Sequence, residues 1–361
     1  MNTVTVTKPS RIISTVLHHL DIGARTYAVA TMPVDPSDLE RYLAELLDEI
    51  DAKPQKRAYH LADPDTQFGT SLSRFYAQQD LVGIPEADAM AKRLLRIELL
   101  AEAKYGHLNA AGTGHVKKGS FLQFMYRDNG IVHYLGVKVD HELFLDEADF
   151  KRKIGLGESQ KIYKACKVSF DATGTIGSAV VFDTNSKPST YWWRDFWELT
   201  EQRTDTHNTE QAVKEVVRVL GPLKRKSPAD YTLLRNATVA AFKQTGQMNF
   251  DQFVTNTFAN YQPIEPEVSQ ILGKMVGKMR QLPDKRDFDS QFELAPAAVP
   301  FRRVTLKLTS EISLHYDEGI PNLEDKIWAS RTQDGQDVLV IEAPRETTKL
   351  FKFKSSAQIR V

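Results

Sequence analysis

The chain has 361 residues, of which 47 are basic and 47 acidic, with 41% hydrophobic and 26% charged side chains. That length supports two or three domains with real cores, and the composition excludes a disordered chain. The zero net charge argues against a histone-like coat held to phosphate by bulk attraction but leaves room for a local basic face. The lone Cys166 excludes an internal disulfide and a cysteine zinc cluster.

No apolar run reaches the roughly 20 residues a membrane-crossing helix needs. The opening MNTVTVTKPSR lacks the basic-then-apolar order of a secretory signal. The expectation is a cytoplasmic protein with no membrane partner.

In chain order, residues 11–20 read as a first strand and 25–32 as its partner across Asp21-Ile22-Gly23. Asp35-Pro36-Ser37-Asp38 starts a helix, with a cap, a proline at the first helical position and an acid at the positive end of the dipole. Its apolar stripe is Leu39, Tyr42, Leu43, Leu46, Leu47 and Ile50. Asp63-Pro64-Asp65 starts a shorter helix through Phe68, Leu72 and Phe75. A longer one runs from Pro85 through Met90, Leu94, Ile97 and Ala101 to Gly106. The loop with Gly112-Thr113-Gly114 lacks the strand-glycine-helix order of a phosphate cradle and reads as a connector.

SFLQFMYRDNGIVHYLGVKVD, residues 120–140, is the centre of the reading. Two strands flank Asp128-Asn129-Gly130, residues that tolerate positive φ, so a tight hairpin follows. The first arm is apolar on both faces, which places it mid-sheet under covering layers. Residues 147–153 read as a helix broken by Gly155-Leu156-Gly157. A second hairpin follows, KACKVSFD and TIGSAVVFD around Ala172-Thr173-Gly174. Cys166, inside it, reads as a buried structural thiol. YWWRDFWEL packs three tryptophans into one segment, a packing hub rather than a base-stacking platform.

From His207 the pattern turns helical, with helices over 209–220, from Ser227-Pro228-Ala229-Asp230 to about 245, from Asn249, and over 265–282. The tail returns to strands in FRRVTLKLT, EISLHY, KIWASR, DVLVIEA and TKLFKFK. The fold class is therefore α+β, a mixed or antiparallel sheet with central hairpins flanked by helices. Three parts are expected: an N-terminal α/β part over 1–200, a helical section over 201–295, and a small β unit over 296–361.

No catalytic signature emerges. There is no G-x-S-x-G elbow and no H-E-x-x-H, and His18 and His19, adjacent on a strand, point to opposite faces. Asp171, Asp183, Lys164 and Lys167 are the one carboxylate-lysine group that a metal-dependent nuclease would use. Positive charge is more visible. Lys151, Arg152 and Lys153, followed by Lys161, Lys164 and Lys167, concentrate near the second hairpin, with Lys164 and Lys167 on opposite faces of a strand. Lys224, Arg225 and Lys226 sit in a helix-helix loop, and Lys349, Lys352 and Lys354 make the C-terminus basic. Such side chains bind phosphates because each neutralised phosphate releases counterions.

The order of segments resembles the NdpA/YejK family of bacterial nucleoid-associated proteins. The likeness is carried by IISTVLHHLD, by the central hairpin, by KACKVSFDATG with YWWRDFWELTEQR and DTHNTEQAVKEV, and by VTLKLTSEISLHYDEG with DVLVIEAP. It implies a non-enzymatic, nucleoid-located protein that contacts double-stranded DNA mainly through backbone phosphates, with no cofactor. Some relatives are linked to type II topoisomerases and some similar proteins to phage defence, so a topoisomerase or a defence-complex subunit is an implied partner. The alternatives at this point are a protein-interaction adaptor and a cryptic metal-dependent nuclease; homo-oligomerisation is open.

Overall fold

A computed structural model describes residues 12–31, 35, 37–52, 56–105, 119–145, 152–156, 164–183 and 188–352, with backbone alone at 105, 140–145 and 152–156. The chain divides into two compact units. The first is Met1–Thr204 with Asp289–Gln291, and the second is Asp205–Phe288 with Phe292–Val361.

The first unit runs β1 (Ile12–Asp21), β2 (Thr26–Val29), α1 (Ser37–Ala52), β3 (Arg57–Leu61), α2 (Gln67–Gln78), α3 (Pro85–Tyr105), β4 (Gly119–Asp128), β5 (Ile131–Leu145), β6 (Arg152–Leu156), β7 (Lys164–Phe170), β8 (Ile176–Asp183) and β9 (Leu199–Glu201). Eight strands pair in the order β2-β1-β4-β5-β7-β8-β3-β9, and β6 pairs with the far end of β5. The α+β class holds.

The central hairpin closes as its residues dictate. Asp128 faces Ile131 across Asn129 at φ 48° and Gly130 at φ 83°. Two positive φ values in a two-residue turn match the right-handed twist of the strands. Both faces of the pair are then buried. Leu122, Phe124, Tyr126, Leu135 and Val137 pack with the α1 stripe of Leu43, Leu46, Leu47 and Ile50. Phe121, Met125, Tyr134, Cys166 and Val168 pack on the other side with Phe68, Leu72, Met90 and Leu94 of α2 and α3. Each such side chain contributes roughly 1.5–3 kcal/mol by leaving water.

The tryptophan segment is a packing hub. Tyr191–Phe196 forms a π-helical turn that sinks Trp192, Phe196 and the following Trp197 into the second of these cores. Trp197 lies 4.3 Å from Phe196 and 4.6 Å from Phe68, centroid to centroid.

Two local expectations are corrected and one unexpected strand appears. Arg152 and Lys153 open strand β6 rather than ending a helix, because the 15-residue β5 extends past β4 and offers them a ladder partner. RAYHL, residues 57–61, has no place in the sequence reading, yet it is strand β3, held between β8 and β9. Within TKLFKFK, Thr348 ends a one-turn helix and residues 349–352 follow it in turns instead of forming a strand. The Gly112-Thr113-Gly114 loop lies outside the described residues.

The second unit runs α4 (Asp205–Leu220), α5 (Leu223–Lys226), α6 (Pro228–Phe242), β10 (Gln247–Asn249), α7 (Phe250–Val254), α8 (Val268–Arg280), α9 (Leu282–Lys285), β11 (Gln291–Glu293), β12 (Arg303–Lys307), β13 (Ser313–Asp317), α10 (Leu323–Lys326), β14 (Ile327–Arg331), β15 (Asp337–Ile341) and α11 (Arg345–Thr348). Val213, Val216, Leu234, Phe242, Phe253 and Met275 anchor its core. The helical section and the tail form one unit here, and polar contacts explain why. Arg235 of α6 pairs with Glu318, and Asn236 accepts from the backbone N–H groups of Gly319 and Ile320 at 2.8 and 3.1 Å. Among the described residues no helix is long and apolar enough to cross a membrane.

Candidate nucleic-acid interface

Of the basic residues expected at the site, Lys151, Lys161 and Lys354 lie outside the described residues, and Arg152 and Lys153 are placed only as backbone positions of β6. Lys164 is a correction. It is wholly buried at the first position of β7, where its Nζ donates to Asp183 across the ladder and to Ser189 Oγ at 2.9 Å. Burial pushes its pKa down against the pull of Asp183. A lysine held this way cannot reach a phosphate in solvent, since breaking the pair would leave Asp183 as a buried, uncompensated charge.

Lys167 does face away from Lys164, as strand spacing requires. It meets α1, where its Nζ lies 2.7 Å from Asp51 and 5.9 Å from the centre of the Tyr126 ring. Asp171 is occupied locally, accepting from the Thr173 and Thr175 backbone N–H groups at 2.8 and 2.9 Å. Of the suspected nuclease group, Lys164 and Asp183 pair with each other, whereas Lys167 is held by Asp51 and Asp171 by its own turn. No set of three or more His, Cys, Asp and Glu side chains suited to a metal ion occurs among the described residues.

The second unit gives a different picture at Lys224, Arg225 and Lys226. Gly221-Pro222 ends α4, and α5 is a single turn between two fixed points. Leu223 on one side is buried in the core. Ser227 on the other caps α6 by accepting from the Asp230 backbone N–H. With both ends tied inward, the three intervening cations stand exposed. Among the described residues none of the three has an ion-pair partner.

The tie at Ser227 is itself braced. Its hydroxyl donates to Asp230 at 2.6 Å, and the same carboxylate accepts from Tyr261 Oη at 2.7 Å, the Ile264 N–H at 2.8 Å and the Glu265 N–H at 3.3 Å. Burial works against ionisation of Asp230, but these hydrogen bonds outweigh it and hold the carboxyl below its ordinary range.

Lys224 lines a concavity of ≈ 400 Å³ shared by the start of α6 and by β12 and β13. Its polar rim includes Thr232, Arg303 and Thr305, and Tyr231, Val304 and Tyr316 supply apolar wall. Arg303 makes a solvent-exposed pair with Asp317 at 3.4 Å, worth little in water. Arg235 stays structural, held by Glu318 and stacked 4.9 Å over the Phe301 ring. The sequence reading missed Arg303 and Thr305. The signal was the alternation in RVTLK, which puts Arg303, Thr305 and Lys307 on one face of a strand. That this strand lies beside Lys224 is a tertiary fact.

Lys349 and Lys352 are also exposed, next to Leu350 and Phe351, which are 78% and 72% exposed. Chemically these surfaces offer cations and hydroxyls, the inventory that holds phosphate oxygens. No protein-family model matches the chain, and no curated protein matches it.

Proposed function

We propose that this chain binds duplex DNA mainly through backbone phosphates, with little base readout and no catalysis, a reading drawn from its basic clusters and its resemblance to the NdpA/YejK proteins. The observation that carries the reading is the anchored basic turn Lys224-Arg225-Lys226. Its three cations are exposed without ion-pair partners among the described residues, and Lys224 shares a concavity with Arg303. Side chains not engaged by protein carboxylates keep their charge for a phosphate, and each contact releases a counterion.

The direct test is fluorescence anisotropy of a labelled duplex across a salt series. Affinity should fall steeply as salt rises, with scrambled duplexes of equal length binding alike. A flat salt profile, or no binding at low salt, contradicts the reading. In the cell the reading places the protein at the nucleoid, so a fluorescent fusion should overlay the DNA stain.

A second reading, the adaptor, has its own observation. Exposed apolar side chains collect in the tail at Leu339, Ile341, Leu350 and Phe351, and such surface is where protein partners dock. Pull-down with and without nuclease separates the two readings. Partners that survive nuclease treatment favour the adaptor; partners lost with the DNA count against it.

A further inference from the structure

A second basic concavity lies in the first unit, on the outer face of α3, and the sequence reading did not single it out. It has a volume of ≈ 420 Å³. Lys92, Arg93 and Arg96 line it together with Leu95, Leu99 and Gln67. The apolar stripe that fixes α3, Met90, Leu94 and Ile97, turns these cations outward.

Arg93 is the rigid member. Its guanidinium reaches Glu198 at 2.8 Å, the Asp195 carbonyl at 2.6 Å and Gln67 Oε1 at 3.0 Å. Glu198 holds that position in a left-handed conformation, φ 51°, while its other oxygen accepts the Phe68 N–H at the start of α2. A non-glycine residue in this region carries a strain of about 1–3 kcal/mol, which persists where the surroundings impose it and often where a site needs it. Among the described residues the buried Arg93 Nε has no hydrogen-bond partner. Buried donors are rarely left so.

Lys92 and Arg96 are exposed, one helical turn apart, and neither has an ion-pair partner among the described residues. Like charges at that spacing repel. The carboxylate best placed to relieve Lys92, that of Asp88 one turn before it, lies 2.8 Å from His18 Nε2. The fold thus braces one cation and, among the described residues, gives neither of the two beside it an acid partner.

We propose that this concavity binds a small phosphorylated ligand. Lys92 and Arg96 would take the phosphate oxygens over the fixed Arg93, and Leu95, Leu99 and Ala89 would cover the ligand's apolar part. Its volume falls in the range of small-molecule sites. The Arg96 guanidinium presents a planar fork of donors that matches phosphate oxygens. The site shares no residue with the Lys224 surface, so it stands or falls independently of DNA binding.

Titration calorimetry of the full chain with pyrophosphate, AMP and adenosine tests it. Pyrophosphate and AMP should bind saturably at one site, and adenosine should not. Lys92→Ala with Arg96→Ala should weaken both anions at least tenfold; the two residues are exposed, so an unchanged circular dichroism spectrum confirms that the variant folds. Arg96→Lys should recover part of the affinity. Absence of saturable binding by either anion overturns the proposal, as does binding that survives the double substitution. If instead an acidic peptide binds in a Lys92- and Arg96-dependent way and neither phosphate compound does, the surface is a protein-docking face and the small-ligand site is wrong.

Discussion

Asp230 shows how much of this protein rests on single polar side chains placed out of water. Four donors converge on its carboxylate and tie the start of α6 to the segment before α8, which also fixes the basic turn beside it. Asp230→Asn keeps the shape but turns one acceptor into a donor facing the Glu265 N–H or the Ser227 hydroxyl. The expected loss is about 1.5–3 kcal/mol in urea unfolding at neutral pH, the range for hydrogen bonds to a charged group. The pH dependence has a definite sign. The folded carboxyl titrates below its ordinary value of 3.8, so its contribution is complete above that value and is lost as pH falls through the depressed one. The gap between wild type and variant should hold steady from neutral pH down to the ordinary aspartate range and shrink below it. A gap that grows on acidification contradicts this account. None of this was legible in the sequence beyond the cap itself: Ser227-Pro228-Ala229-Asp230 announces a helix start, whereas Tyr261 and Ile264 are more than 30 residues away.

The elements were legible where the pattern is local, and illegible where a partner strand decides. Both hairpins follow from strand-forming runs on either side of a turn that admits positive φ. Strand β3 lies between two helices with no hairpin turn to signal it and exists because β8 and β9 pair with it on either side. Strand β6 likewise depends on the overhang of β5. The meeting of hairpin and tryptophan hub makes the sharpest element-scale prediction. At Gly136 of β5, a Cβ would come within 2.3 Å of the buried Trp197 ring. Gly136→Ala therefore forces the indole, and the ring cluster packed on it, to shift. Overpacking of this kind costs about 1–3 kcal/mol. The measurement is the urea midpoint together with tryptophan emission; an unshifted midpoint would mean that the hub is looser than its packing implies.

At the scale of the whole molecule, electrical neutrality and a polyanion surface are compatible because charge acts locally. The screening length is about 10 Å at 0.1 M salt, so a cluster is felt only by what lies near it. Many of the 47 basic side chains are spent on protein carboxylates, as Lys138 is on Glu98 and Lys164 is on Asp183. Composition alone cannot distinguish these from the cations of α5. A lysine in an alternating strand and a lysine in a one-turn helix read alike until the fold buries one and anchors the other at the surface. Lys164 was misassigned for that reason, and Lys224, Arg225 and Lys226 remain as the strongest candidates.

Charge reversal of that turn is the most direct test of the central claim. Lys224→Glu, Arg225→Glu and Lys226→Glu together, compared with Lys349→Glu and Lys352→Glu, are read by anisotropy of duplex binding against salt. The account predicts that the α5 variant loses at least tenfold in affinity at low salt and that the slope of log affinity against log salt falls by about 3, near 0.9 per phosphate contact removed. The same affinity and the same slope as wild type, in a variant with an unchanged unfolding midpoint, would contradict it.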